Sequence, residues 1–251
     1  MPKTLALIKS SIRDAWRLKG SLAPIILLII IPVLILNLVT SNDQTLGSYG
    51  SFATLVMNIA VIYAVIKLKT GAKKMTIAEA YYKGTARFVA FMCVVGLLAL
   101  QMIPLLIGGL IYVSGSTGAT VGLGPVEMVL LGGIWLIFAL PTFRWLTRSV
   151  FALYLVQDDT MGPLASVRAS SALVRGKSWR VLGYILAGTV LMFILLIIPS
   201  LAVSTLPDTA SLLSKIATSL LQVLSALVLV PFASVYGYNI VEALGGKPKT
   251  S

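Results

Sequence analysis

The sequence predicts an all-α integral membrane protein with six transmembrane helices and three cytoplasmic interfacial amphipathic helices. Of its 251 residues, 58% are hydrophobic and only 11% are charged, whereas soluble domains average about 25% charged residues. Apolar runs of roughly 20 residues, the length that crosses a bilayer, recur along the chain. No long polar block separates these runs, so we expect one membrane domain over residues 1–251.

The spans and their orientation follow from the apolar runs and the charges between them. The connection at 41–49 is the first that we place outside the cytoplasm. Of the 20 Lys and Arg residues, only Lys215 lies on the same side of the membrane as this connection. By the positive-inside rule, both termini are then cytoplasmic in the cell (inner) membrane. The predicted spans are 21–40, 50–67, 88–113, 125–147, 180–203 and 210–232.

A basic segment with helical periodicity precedes each odd-numbered span, and we expect each segment to lie flat in the inner headgroup layer. The segments end near Lys19-Gly20, Lys83-Gly84 and Arg175-Gly176. Their predicted apolar stripes are Leu5, Ile8, Ile12 and Trp16, then Ile77, Tyr81 and Phe88, then Leu164, Val167, Ser171 and Val174. The interfacial basic residues are Lys9, Arg13, Arg17, Lys83, Arg87, Arg168, Arg175, Lys177 and Arg180.

Local signals mark where two of these helices begin. Thr76 and Glu79 fit a capping box, in which the threonine hydroxyl accepts from a backbone N–H of the first turn. Pro163 suits the first position of a helix, where its missing N–H is not needed. Helices are therefore expected to begin near these two positions.

Prolines recur at matching places in the spans. An Ile-Pro pair places Pro32, Pro104 and Pro199 in the outer half of each odd-numbered span, and Pro141 and Pro231 interrupt two returning spans. Proline inside a helix removes a hydrogen bond and kinks the helix. Since each pair follows a basic segment, we predict three repeats of one amphipathic-helix/two-span unit, at 1–70, 71–156 and 157–244. The alternative is chance recurrence in an Ile-rich chain with 11 prolines.

Two small-x-x-x-small patterns are candidates for close helix contacts. They are Gly183-x-x-x-Ala187 and Ala233-x-x-x-Gly237. Small residues at this spacing allow two helix backbones to approach each other in a membrane.

Three segments resemble a known superfamily. They are GPLASVRASSALVRGKSWRVLGYIL at 162–186, PFASVYGYNIVEAL at 231–244 and FRWLTRSVFALYLVQDD at 143–159. The chain over 140–243 resembles the membrane domain of glycerophosphoryl diester phosphodiesterases and related bacterial multi-pass membrane proteins of unknown function. The resemblance implies a shared membrane fold and no catalysis, because the chain has no counterpart of the soluble phosphodiesterase domain.

Arg144 and Arg148 are the candidate lipid- or phosphate-binding residues. They are four positions apart on one helix face, and Arg144 falls near the inner boundary of the hydrocarbon. One interpretation is a clamp on an anionic lipid headgroup or a phosphate-bearing substrate, because guanidinium matches phosphate oxygens. The alternative, which we favour, is snorkelling to the interface. Its ion-pair partners would be Asp158, Asp159 or Glu242.

Other polar and aromatic side chains have structural interpretations. Asp158 and Asp159 are expected to cap a helix or form salt bridges, in preference to binding a metal. A second set is expected to bond across helices, in preference to lining a polar path: Asn37, Asn58, Gln101, Gln222 and Asn239. A third set is expected to anchor span ends at the interface: Trp16, Trp145, Trp179 and Tyr236.

Composition restricts the function classes. The chain has no histidine, which removes histidine acid–base chemistry, Ser-His triads and histidine metal sites. Cys93 is the single cysteine and is expected to be a packed core thiol. We predict no enzyme, no cofactor and no nucleic-acid partner. The favoured role is structural or lipid-associated, with anionic membrane lipids as partners. A transporter component is the alternative, and a homo-oligomer or a membrane-protein partner is left open.

Overall fold

The computed structural model describes residues 3–39, 44–118, 125–158, 160–204 and 211–246, and this part of the chain is all-helical. Its helices are α1 Thr4–Val39, α2 Gln44–Lys69, α3 Ile77–Thr85, α4 Phe88–Gln101, α5 Ile103–Gly118, α6 Pro125–Ser149, α7 Ala152–Leu155, α8 Pro163–Val174, α9 Ser178–Ser204 and α10 Ser211–Ala243. Five helices are long and apolar enough to cross a membrane, and a sixth is added if the bent pair α3–α4 counts as one span. The chain is therefore a helical membrane protein.

Helix α1 differs from its prediction, because the basic segment and the first span form one uninterrupted helix of 36 residues. The predicted break at Lys19-Gly20 is wrong. Buried residues continue at helical spacing from Leu7 and Ser11 to Leu22 and Ile25. This continuous face packs against α10 and α2, so a break at Gly20 would interrupt it.

The other two basic segments do end in breaks. Helices α3 and α4 meet at an angle of 63°. Thr76 caps α3, with its hydroxyl accepting from the N–H of Glu79 (3.2 Å). Helix α8 begins at Pro163 as predicted and ends before Gly176, whose φ of +77° no longer fits a right-handed helix. The threefold repeat stays a prediction, since α1 lacks the break that the other two units have.

The prolines occupy different environments. Pro32 is exposed within α1, Pro141 is half-buried within α6 and Pro231 is buried within α10. Pro104 is not in a helix interior: the predicted span 88–113 divides at Met102 into α4 and α5, and Pro104 is in the first turn of α5. A missing N–H has no consequence there. The side chain of Pro199 lies outside the described residues.

The hydrophobic core lies at one end of the helices, here called the packed end. Its largest contributions come from the first two thirds of α1, the second half of α2, the α7 region, the start of α9 and the last part of α10. Large apolar side chains elsewhere are exposed, as for Leu110 in α5, Ile137 in α6 and Phe193 in α9. Extensive exposed apolar surface is expected where a membrane protein meets lipid.

Tyrosines and glycines bring the helices of the packed end together. A Cβ at Gly237 would clash with the hydroxyl of Tyr154, and that hydroxyl donates to the carbonyl of Ala233 (3.4 Å). The face Ala233-x-x-x-Gly237 is therefore a close contact, although the group that packs on it is a tyrosine side chain and not a helix backbone. Gly183 is not a contact, because nothing lies within 4 Å of its Cβ position; Gly188, one turn later, packs against the ring of a tyrosine.

Candidate functional site

The three basic segments pack through small or short side chains. Ser11 is buried in α1, Ala80 and Gly84 in α3, and Ser166 and Ser170 in α8. A Cβ at Gly84 would lie 3.1 Å from the Cα of Ala60, so α3 lies directly on the backbone of α2. The small face points into the protein, which leaves the large apolar side chains on other faces.

The predicted apolar stripes are accordingly mostly outside the core. Five of their members are exposed: Leu5, Ile12, Trp16, Ile77 and Leu164. Five more are half-buried: Ile8, Tyr81, Phe88, Val167 and Ser171. Val174 is the exception, since it is fully buried in the core. Exposed apolar side chains on basic helices are the arrangement that membrane-surface helices present to lipid.

Most of the predicted interfacial basic residues are exposed beside these stripes: Lys9, Arg13, Arg17, Lys83, Arg168, Arg175, Lys177 and Arg180. The ammonium of Lys19 lies 3.5 Å from the ring centroid of Trp16. Lys83 forms an exposed ion pair with Glu79 at 3.2 Å. Arg87 differs: it is half-buried, and its Nη2 donates to the carbonyl of Met161 at 2.7 Å, joining the start of α4 to the loop before α8.

Three of the four predicted aromatic anchors are exposed. Trp16 is 68% and Trp179 is 85% exposed, and Trp145 is also exposed. Tyr236 is not an anchor, because it is buried, stacks on Phe232 and donates to the carbonyl of Tyr184 at 2.7 Å.

The prediction that Cys93 is a packed core thiol is wrong, because this single cysteine is exposed on α4. The packed residues of α4 are Phe91 and Val94, on either side of it. The thiol of Cys93 is therefore exposed, although the residues around it in the sequence are apolar.

Arg144 and Arg148 lie on α6 in unequal environments. Arg144 is exposed and Arg148 is half-buried. The Nε of Arg148 is buried without a hydrogen-bond partner within the described residues, and its carbonyl accepts from the hydroxyl of Ser170 at 2.6 Å. Gln101 of α4 donates to the hydroxyl of neighbouring Ser149 at 3.1 Å. The C-terminal end of α6 is thus polar on the side that faces α4 and α8.

Of the predicted ion-pair partners of these arginines, the structure describes Glu242, which is exposed, and Asp158. Asp158 is buried, and its carboxylate accepts from both the N–H and the hydroxyl of Thr160, at 3.0 and 2.7 Å. It thus stabilises the turn before α8, whereas the N-cap position of α8 is Gly162 and has no side-chain cap. Asp159 lies outside the described residues.

A second polar group joins α1, α2 and α10, and the sequence analysis missed most of it. Asp14 and Lys69 form an ion pair at 2.6 Å. The amide nitrogen of Asn239 donates to Ser11 at 2.9 Å and to Asp14 at 3.4 Å. The signal was available, because Asp14 is the sole acid in the first basic segment.

The predicted cross-helix bonding is thus confirmed for two of the five amides, Asn239 and Gln101. Among the others, Asn58 is half-buried and Gln222 is exposed. The side chain of Asn37 lies outside the described residues.

A surface cleft of about 460 Å³ opens at the packed end. Its lining comes from α7, from α8 and the turn after it, and from the end of α10: Leu155, Met161, Ala169, Ala172, Leu173, Arg175, Lys177, Leu244 and Gly246. No group of three metal-ligating side chains occurs in the described ranges. The lining residues give the cleft an apolar floor and two cationic groups, Arg175 and Lys177.

The chain was compared with protein-family models, curated proteins and solved structures, and it matches none of them. The resemblance over residues 140–243 stays a prediction. Function has to be inferred from the arrangement of the side chains.

Proposed function

We propose that this protein is a multi-pass integral membrane protein that holds anionic lipid at the cytoplasmic leaflet and has no catalytic activity. The observation that carries the proposal is the pairing of exposed aromatic and basic side chains on the segments that pack through small faces. Trp16 lies against Lys19, and the exposed Trp179 is in the first turn of α9, two residues after the exposed Lys177. Both termini are placed on the cytoplasmic side by the positive-inside rule.

Small faces hold the basic segments against the long helices. Small faces on α3 and α8 let these helices lie close to the long helices, so basic side chains such as Lys83 and Arg168 stay exposed on their other faces. Indole rings favour the headgroup level of a bilayer. Each basic residue near an anionic surface contributes on the order of 1 kcal/mol, so several together favour an anionic leaflet over a zwitterionic one.

Arg144 and Arg148 supply the most specific contact in this proposal. Arg144 is exposed, and Arg148 is half-buried one turn later on α6. A guanidinium presents fixed, forked donors that match phosphate oxygens, which an ammonium does not. A phospholipid phosphate beside the end of α6 would bind to this pair, with its chains along the exposed apolar surface of α6.

The test is native mass spectrometry of the protein released from nanodiscs of mixed phosphatidylglycerol and phosphatidylcholine. Wild type is expected to retain phosphatidylglycerol in preference to phosphatidylcholine, and Arg144→Ala/Arg148→Ala is expected to retain less. The matched control is Arg144→Lys/Arg148→Lys, which keeps the charge and removes the forked geometry. Intermediate retention in the control is expected, because charge without geometry recovers part of the binding.

Equal retention of both lipids by wild type would overturn the proposal. If wild type prefers phosphatidylglycerol and the alanine variant matches it, the arginine pair is an interfacial anchor and the basic segments alone hold the lipid. The two results separate the general proposal from the role of the pair.

A transporter component is the second candidate, and the polar contact between α4 and α6 favours it. Gln101 bonds to Ser149 beside the unpaired Nε of Arg148, and the Oε1 of Gln101 is also buried and unpaired within the described residues. A water-filled path to these groups would solvate both. Ser149→Cys, in a Cys93→Ser background, would react with a water-soluble thiol reagent if such a path exists, and would stay unreactive in a lipid-holding protein.

A further inference from the structure

The cleft between α7, α8 and α10 has a different chemistry from the exposed basic surface. Its floor is apolar, from Leu155, Leu173 and Leu244, and its two charged lining residues are Arg175 and Lys177. No acidic side chain is among the described lining residues. Its volume of about 460 Å³ lies within the range of about 300–1,000 Å³ that is typical of small-molecule sites.

Backbone geometry places the two cationic groups together. Gly176 separates them and adopts φ +77°, a conformation that glycine enters without strain. The chain thereby turns from α8 into α9, and Arg175 and Lys177 on either side of the turn both line the cleft while staying exposed. The turn thus brings two positive charges to one position.

Close packing forms the opposite wall. A Cβ at Gly246 would lie 2.6 Å from Cγ1 of Val241 and 3.0 Å from Cδ1 of Leu173. The chain after α10 therefore lies directly on α8, and a side chain at position 246 would not fit. The cleft is a built feature of the packed end, in which α8 is tied to α6 by the hydrogen bond from Ser170 to the carbonyl of Arg148.

We propose that this cleft binds one anionic phospholipid, with its phosphate at Arg175 and Lys177 and the first methylenes of a chain on the leucine floor. The inference rests on the proposed function and adds a single site of fixed stoichiometry. An apolar floor with a cationic rim complements a molecule that is anionic at one end and apolar at the other. The sequence continues after Gly246 with Lys247 and Lys249, so like charge disfavours that segment as the occupant.

The test uses purified full-length protein in a neutral detergent and dioctanoyl phosphatidylglycerol as the probe, with adducts counted by native mass spectrometry. Wild type is expected to form a saturable 1:1 adduct. Arg175→Ala/Lys177→Ala is expected to weaken it by about tenfold or more, because two cationic contacts are lost. Ala172→Trp, which fills the cleft from an exposed position, is expected to abolish it without changing the charge.

The matched control is Lys73→Ala/Lys74→Ala, which removes the same charge from exposed positions of the connection between α2 and α3 and is expected to keep the 1:1 adduct. Equal loss of the adduct in both double variants, or full binding of the probe by Ala172→Trp, would overturn the proposal that the cleft is the binding site. General retention of anionic lipid in nanodiscs would not be affected by either result. Equal binding of dioctanoyl phosphatidylcholine, or displacement of the probe by equimolar inorganic phosphate, would also overturn it. If wild type forms no adduct with the probe but still enriches phosphatidylglycerol in nanodiscs, the cleft site is rejected and the proposed function is not.

Discussion

The carboxylate of Asp14 lies 2.6 Å from the ammonium of Lys69, in a contact that joins the first long helix to the second. The amide of Asn239 in the last long helix donates to the same carboxylate and to Ser11. Both charged side chains are less than one quarter exposed. One acid therefore connects three helices that are distant in sequence.

Asp14→Ala should destabilise the protein by about 1–3 kcal/mol, because it leaves the ammonium of Lys69 partly buried without its partner. The measurement is thermal unfolding of the detergent-solubilised protein, followed by loss of the monodisperse peak on size-exclusion chromatography. The control is Lys83→Ala, which removes the exposed pair with Glu79 and should cost no more than about 0.5 kcal/mol. Equal shifts in the two variants would contradict a special role for the Asp14 contact.

Two glycines on α9 should respond oppositely to alanine. Gly188→Ala places a Cβ against the ring of Tyr236, which is held by its hydrogen bond to Tyr184 and its stacking on Phe232, so it should cost about 1–3 kcal/mol. Gly183→Ala meets nothing within 4 Å and should be neutral or gain up to about 1 kcal/mol in helix propensity. The same unfolding assay compares them, and a stabilised Gly188→Ala would show that the two helices do not pack as described.

Arg87→Ala should loosen α8 locally, because the guanidinium donates to the carbonyl of Met161 just before that helix. The expected result is faster backbone hydrogen exchange over residues 160–170, measured by mass spectrometry in detergent, with exchange in α2 unchanged. Arg168→Ala, an exposed change on α8 itself, is the control and should leave exchange at wild-type rates. Unchanged exchange in Arg87→Ala would mean that the contact adds nothing to the docking of α8.

The orientation is tested by cysteine labelling in a Cys93→Ser background. Ser48→Cys, in the first predicted outer connection, should react with a membrane-impermeant maleimide in intact cells. Lys73→Cys, in the basic connection between α2 and α3, should react only after permeabilisation, because the positive-inside rule places it in the cytoplasm. The reverse pattern would place both termini outside.

Sequence patterns located most of the long helices because composition and charge act locally. Apolar runs at about the length of a bilayer crossing marked the regions of α2, α6, α9 and α10. Capping chemistry marked Thr76 and Pro163 as helix starts. These signals need no partner elsewhere in the chain.

The missed features depend on contacts between distant segments. Gly20 and Gly176 both follow a basic residue, yet α1 continues through the first and α8 ends before the second. The difference is that the buried face of α1 extends past Gly20 to Ile25 against α10 and α2. Likewise Cys93 and Tyr236 both have apolar neighbours in the sequence, but Cys93 is exposed and Tyr236 is buried.

The sequence by itself determined the class of the protein, the approximate spans and the basic segments, since hydrophobicity and charge are properties of each residue and its near neighbours. Only the tertiary structure decided which faces are buried: small side chains pack inward on α3 and α8 together with Val174, whereas Ile77 and Leu164 remain exposed. It also decided the Asp14–Lys69–Asn239 contact and the cleft beside Arg175 and Lys177. Close packing selects faces by shape across helices, and a one-dimensional pattern of hydrophobicity does not contain that shape.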